Sequence, residues 1–203
     1  MKSPKGRDRA AMGFTVRSGW AAVVLLGGQP TSPRVLDART LDLSDPTVLE
    51  ARQPYHDGFG TARKKGPELS RLVASVQRFG RQAVSGLIRQ YRAEGHELVG
   101  VGVAVGSLTD PDRIANPHIR IHALEGKLFR HVVEDAVHRA GLTSSTWRER
   151  DLYGIAVELL NRAEPQLRLA LSAVDRPRPR PWRAEQKAAA LAAWLVLANR
   201  AGP

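Results

Sequence analysis

Apolar positions change their period several times along the chain, and the changes divide it into elements. From Gly13, GFTVRSGWAAVVLL is strand-like, GGQPTSP is rich in turn formers, and RVLDARTLDL alternates, with Val35, Asp37 and Arg39 set against Leu36, Thr40 and Asp42. Two such runs about a Gly/Pro turn predict an antiparallel hairpin. SDPTVLEARQPYHDGFGTARKKGP has no period and reads as loop, with one short edge strand near 48–52. Leu69, Leu72, Val73, Val76, Phe79, Ala83, Leu87 and Tyr91 then recur at spacings of three and four. They predict a helix over 68–94, which Gly95 ends and which Gly80 and Gly86 weaken locally.

ELVGVGVAVGS, at 97–107, is almost wholly apolar between turn signals, as a strand covered on both faces should be. Asn116 as N-cap, Pro117 at the first helical position and Gly141 past the end bound a second helix, from about Pro117 to Ala140. TSSTWRER predicts a further strand, and DLYGIAVELLNRA and EPQLRLALSAV predict helices. RPRPRP at 176–181 is a polyproline-like linker before a final helix in WRAEQKAAALAAWLVLANR. The order is that of an α/β protein with a mixed sheet: an N-terminal antiparallel hairpin, later strands parallel, and flanking helices. Residues 1–11 are polar, basic and patternless, so a disordered arm is expected, followed by one domain over 12–201; Met12 is a second place where the chain could start.

The helix from Pro117 breaks its own pattern. At about 100° per residue, His118, Ile121, His122, Glu125, Leu128, Phe129, Val132, Val133, Ala136, Val137 and Ala140 share one broad face. Arg120, Lys127, Arg130, His131, Glu134 and His138 take the other. Two histidines and a glutamate therefore open a stripe that is apolar two turns later. A helix that follows a parallel strand starts at the carboxyl edge of the sheet, where open α/β folds bind ligands. His118, His122 and Glu125 could ligate one metal ion, or a histidine and Glu125 could form an acid–base pair. A satisfied polar network anchoring the helix start is the equal competitor. HxxxHxxE lacks the inner glutamate of the HExxH zincins. In the last helix Lys187 lies with Ala190, Leu191, Trp194 and Ala198, and would reach Glu125 if both helices flank the same sheet edge. Tyr55 and His56 in QPYH could close over that edge, or simply form a turn.

Charge adds a partner class. The 203 residues carry 31 Lys and Arg against 20 Asp and Glu, a net charge of +11, which attracts polyanions, nucleic acid first. Arginine-rich composition with solvated side chains accounts for the same count. The clusters ARKK (Arg63, Lys64, Lys65) and RPRPRPWR (Arg176, Arg178, Arg180, Arg183) could grip phosphates, with Trp182 stacking. The absence of cysteine excludes disulfides, thiolate zinc sites and a cysteine nucleophile, and fits a cytoplasmic location. No apolar run approaches the roughly 20 residues that cross a bilayer, so no membrane insertion is expected. GVGVAVGS is neither a dinucleotide fingerprint nor a P-loop, since no helix follows it directly.

VRSGWAAVVLL, VGVAVGS, HALEGKLFRHVVEDA and KAAALAAW, in that order, resemble the ribonuclease H-like superfamily, and within it the RuvC-type Holliday-junction resolvases. The likeness spans 13–201. The same segments resemble bacterial proteins of unassigned activity, with HAxEG opening one helix and PWxxxQK the last. The resemblance implies a nuclease site of acidic residues on the first strand, the end of the inner strand and the last helix, holding two divalent ions that clamp attacking and leaving oxygens. Here those positions match Arg17, Gly106 or Ser107, and Lys187 or Ala188, with Glu125 and Glu185 the carboxylates nearby. The expectation is a nucleic-acid-binding protein whose acidic site is replaced by His118, His122, Glu125, Lys187 and Arg17, the two cations meeting phosphate. The alternatives are a hydrolase or transferase using His122, Glu125 and Lys187 on a small anion, with or without a divalent metal cofactor, and a homo-oligomeric scaffold subunit.

Overall fold

The first apolar run is two strands, not one. A computed structural model describes residues 9–58, 61–174 and 182–199, and in it the run turns at Ser18 and Gly19. Gly19 takes a positive φ of 83°, which a side chain would strain. β1 (Arg9–Arg17), β2 (Trp20–Gln29) and β3 (Ser32–Asp42) therefore form a three-strand antiparallel meander where a two-strand hairpin was expected. β1 also begins earlier than the expected arm allows: Ala10 and Ala11 are fully buried. The rest of that arm, the Arg/Pro linker and the end of the chain lie outside the described residues. The edge strand expected near 48–52 is a 3-10 turn, Leu49–Arg52, with only Ala51 buried.

α1 (Pro67–Ala93), β4 (Glu97–Val105), α2 (Pro117–Arg139) and β5 (Ser144–Arg148) follow, then α3 (Leu152–Leu160), α4 (Glu164–Ala173) and α5 (Ala184–Asn199). Strand order is β3-β2-β1-β4-β5, with β1, β4 and β5 mutually parallel in register. α1 and α2 cover one face, where Met12, Phe14, Val23, Leu25, Val101 and Val103 meet Val76, Leu87, Phe129 and Val133. α3, α4 and α5 cover the other. No helix of the described residues is long and apolar enough to cross a membrane.

α5 is buried all round from Ala189 to Leu197, as a helix sandwiched between a sheet and two further helices must be. Its small residues let it lie against the backbone of the sheet. A Cβ added to Gly13 would stand 1.8 Å from the Ala189 carbonyl oxygen, and one at Gly102 would stand 2.3 Å from that of Ala192. The glycines of the inner strand thus serve helix docking. Gly80 of α1 does the same for α2, since a Cβ there would lie 2.5 Å from Val132 Cγ1.

Candidate functional site

The carboxyl ends of β1, β4 and β5 define one edge of the sheet, and the starts of α2 and α5 lie there too. Asn116 caps α2, its Oδ1 accepting from the Ile119 N–H at 3.2 Å. A place on the inward face of the first two turns does not by itself bring burial: Ile121 is buried there, and the histidines are not. His118 and His122 are exposed, contrary to expectation, with Nε2 atoms 3.2 Å apart. Glu125, one turn on, is completely buried as expected.

Its partner comes from 53–63, the stretch that sequence alone left as loop. Glu125 Oε1 accepts from the Tyr55 N–H at 2.8 Å and meets His56 Nδ1 at 3.2 Å; Oε2 has no hydrogen-bond partner among the described residues. Burial pushes the Glu125 carboxyl up to about 8, opposed by the backbone N–H donors of Tyr55 and His56. Burial, then the neighbouring His122 and His118, depress His56. At neutral pH both members of the pair are therefore held toward their uncharged forms. His56 packs on His122 with ring centroids 4.9 Å apart, so the three histidines form a row from Glu125 to the surface. Arg63 fixes the loop: Nε donates to Pro54 O at 3.1 Å, one Nη to His56 O at 3.0 Å, and the other to Glu68 at 2.8 Å.

Lys187 stands apart. α5 lies on the opposite face of the sheet from α2, so the expected Lys187–Glu125 pair does not form. What α5 brings to the edge is Glu185. Arg17, at the end of β1, makes a two-pronged pair with Glu149, at 2.5 and 2.9 Å, and reaches Glu185 at 3.8 Å. The Thr15 hydroxyl donates to the Glu185 carbonyl at 2.9 Å. The bonds from Glu149 hold the guanidinium even further above its ordinary range, against the opposing effect of burial. Glu149 was missed in the sequence, although an acid directly after a parallel strand is bound to fall at this edge. Among the described residues no group of three or more His, Cys, Asp or Glu is placed to hold a metal ion. His118, His122 and Glu125 do not converge, because Glu125 turns to His56.

No protein-family model and no curated protein matches the chain. Solved structures do. Thermus thermophilus RuvC is 12% identical over 95% of this chain and 96% of its own, with a TM-score of 0.54. T. thermophilus RuvC in complex with a Holliday junction substrate is 14% identical over 96% of each chain, at 0.52. The fold is ribonuclease H-like, of the RuvC type.

Within this RuvC-type fold the remaining sequence candidates separate. Gly106 is open to solvent, and Ser107 Oγ accepts from the Thr109 N–H at 3.1 Å. Trp182 is half-buried: its Nε1 donates to Leu171 O at 2.6 Å and its side chain packs against the core around α5. Arg63 is likewise committed to its own loop. Lys64, Lys65 and Arg183 are exposed. Arg176, Arg178 and Arg180 fall outside the described residues. Two clefts open at the edge. One, of about 750 Å³, is lined by Ser18, Trp20, Glu50, Arg52, Gln53 and His56 among others. The second, of about 410 Å³, is lined by Trp20, Arg39, Thr40, Arg183, Glu185 and Gln186 with Ala38.

Proposed function

We propose that the protein binds nucleic acid across the carboxyl edge of its sheet and does not cut it by the metal-dependent chemistry that the resolvase resemblance implies. The observation that carries this is Arg17. Its guanidinium sits on Glu149 and within reach of Glu185, so these two acids, at the end of β5 and the start of α5, already face a fixed cation. A divalent ion would have to displace it, and like-charge repulsion opposes both together. The acidic residues present therefore do not fit a two-metal site. Binding is supported by the RuvC-type fold, by the net charge of +11 and by the exposed Lys64, Lys65 and Arg183, while a related fold is known in complex with a Holliday junction substrate. Arg17 itself is a keystone of the edge rather than a phosphate ligand, since its donors are already engaged by carboxylate.

Fluorescence-anisotropy titration with single-stranded, duplex and four-way-junction DNA, at low and physiological salt, tests the reading. The expected result is binding that weakens with salt but persists at physiological strength, with the DNA left intact when Mg²⁺ or Mn²⁺ is added. Cleavage that needs the metal would overturn the second half of the proposal. Loss of all binding at physiological salt would overturn the first.

A further inference from the structure

Three of the four tryptophans pack in or against the core around α5. Trp182 and Trp194 give their indole N–H groups to Leu171 O and Pro30 O, at 2.6 and 2.8 Å, and Trp147 packs in the layer around α5. Trp20 belongs to neither core. It is half-buried at the start of β2, opposite Arg17 in the strand register, and its N–H has no hydrogen bond among the described residues. Among the described residues, Trp20 is also the one that lines both clefts of the carboxyl edge.

Each cleft also has an exposed arginine in its lining. Arg52 lines the first and Arg183 the second; both are exposed, and neither forms an ion pair among the described residues. The other arginines of the clefts are occupied, Arg39 by Asp37 and Arg63 by Glu68. Glu50 is the acid of the first cleft and Glu185 that of the second, where Arg17 already faces it. The part of Trp20 left outside both cores is apolar surface in contact with the clefts, which a stacked ring would cover favourably. An aromatic face flanked by cations is what a single strand uses: the base stacks, tolerant of sequence, and neighbouring phosphates meet the guanidinium forks.

We infer that Trp20 is the stacking platform for an unpaired base of single-stranded nucleic acid, with Arg52 and Arg183 holding the phosphates on either side. The inference rests on the nucleic-acid reading above and adds to it a strand form and a position. A duplex keeps its bases stacked on one another and cannot offer one to Trp20, so the site discriminates between strand forms.

The test uses the full chain, a labelled single-stranded oligothymidine and a labelled duplex. Trp20→Ala should weaken single-strand binding roughly 10- to 100-fold while changing duplex binding less than about twofold. Trp20→Phe should retain most of the single-strand affinity, because a smaller ring still stacks. Tryptophan fluorescence of the native protein should be quenched by the single strand, and Trp20→Phe should abolish that quenching. Arg52→Ala with Arg183→Ala should weaken single-strand binding and flatten its salt dependence. Unchanged affinity in Trp20→Ala, with duplex and single strand still bound, overturns the inference and leaves the nucleic-acid reading standing. Failure of the native protein to bind either probe overturns both. Should Trp20→Ala not fold, quenching that persists in Trp20→Phe refutes the platform by itself.

Discussion

At the scale of single residues, Glu125 is the most informative side chain. Its folded carboxyl titrates near 8, against about 4.5 unfolded, because burial disfavours the charge. A raised folded value means the native state holds the proton more tightly. This contribution to stability is complete below about 4.5 and is lost as pH rises through about 8. The slope in that window is at most about 1.4 kcal/mol per pH unit. His56, depressed in the native state, acts in the opposite sense and penalises acidification through the histidine range. Stability should therefore peak in mildly acidic solution and fall as pH rises to about 8, where the loss from Glu125 is complete. Glu125→Gln keeps the acceptor for the Tyr55 N–H without an ionisable group. Urea denaturation of the variant across this range should show the alkaline decline abolished; an unchanged decline would mean that Glu125 does not titrate there. Arg17 invites a second experiment of the same kind. Its pair with Glu149 is about one-third exposed, so a double-mutant cycle should find a coupling of about 1 kcal/mol, shrinking with salt. The sequence puts Glu125 on the inward stripe of α2 and offers His56 as a residue that could close over the edge, but it does not pair the two, and it does not single out Glu149. These partners lie far off along the chain, and no period links a loop histidine to a helix beyond the next helix and strand.

At the scale of elements, legibility followed periodicity. α1, β4 and the later turns of α2 are readable because each has a continuous apolar pattern ended by a clear stop. β1 and β2 were merged because the turn between them interrupts an apolar run for only two residues, and the alternation resumes on the far side. His118 and His122 share the helical face of Glu125 but stay exposed in the first turns of α2, where Ile121 is the buried residue. The two glycines of α1 show what sequence alone could not distinguish. At Gly80 a methyl group would press on Val132 and on the Leu43 carbonyl, at 2.5 and 2.8 Å. At Gly86 it would meet only the tip of Arg89, 3.9 Å away. Gly80→Ala should cost roughly 1–3 kcal/mol through overpacking, outweighing its helix propensity. Gly86→Ala should stabilise by about 0.5–1 kcal/mol. Thermal unfolding of the pair checks this directly, and equal effects of one sign would refute the close docking of α1 on α2.

For the whole molecule the question is how a net charge of +11 becomes a binding surface. Of the arginines at the carboxyl edge, Arg17, Arg39 and Arg63 are neutralised by their own chain, and they shape the edge instead of offering charge. The cations left for a polyanion stand in exposed positions around it: Lys64 and Lys65 beside the loop that covers Glu125, and Arg52 and Arg183 beside Trp20. These groups should separate by the kind of affinity they control. Lysines on a loop meet phosphate as point charges and read no strand form. Replacing Lys64 and Lys65 by Ser should weaken duplex and single-strand binding alike. For every phosphate that the variant no longer neutralises, the slope of log affinity against log salt should become shallower by roughly 0.7–0.9. A fall confined to one strand form, or an unchanged slope, would show that the two lysines are solvated surface charge and that nucleic acid is held only at the clefts about Trp20.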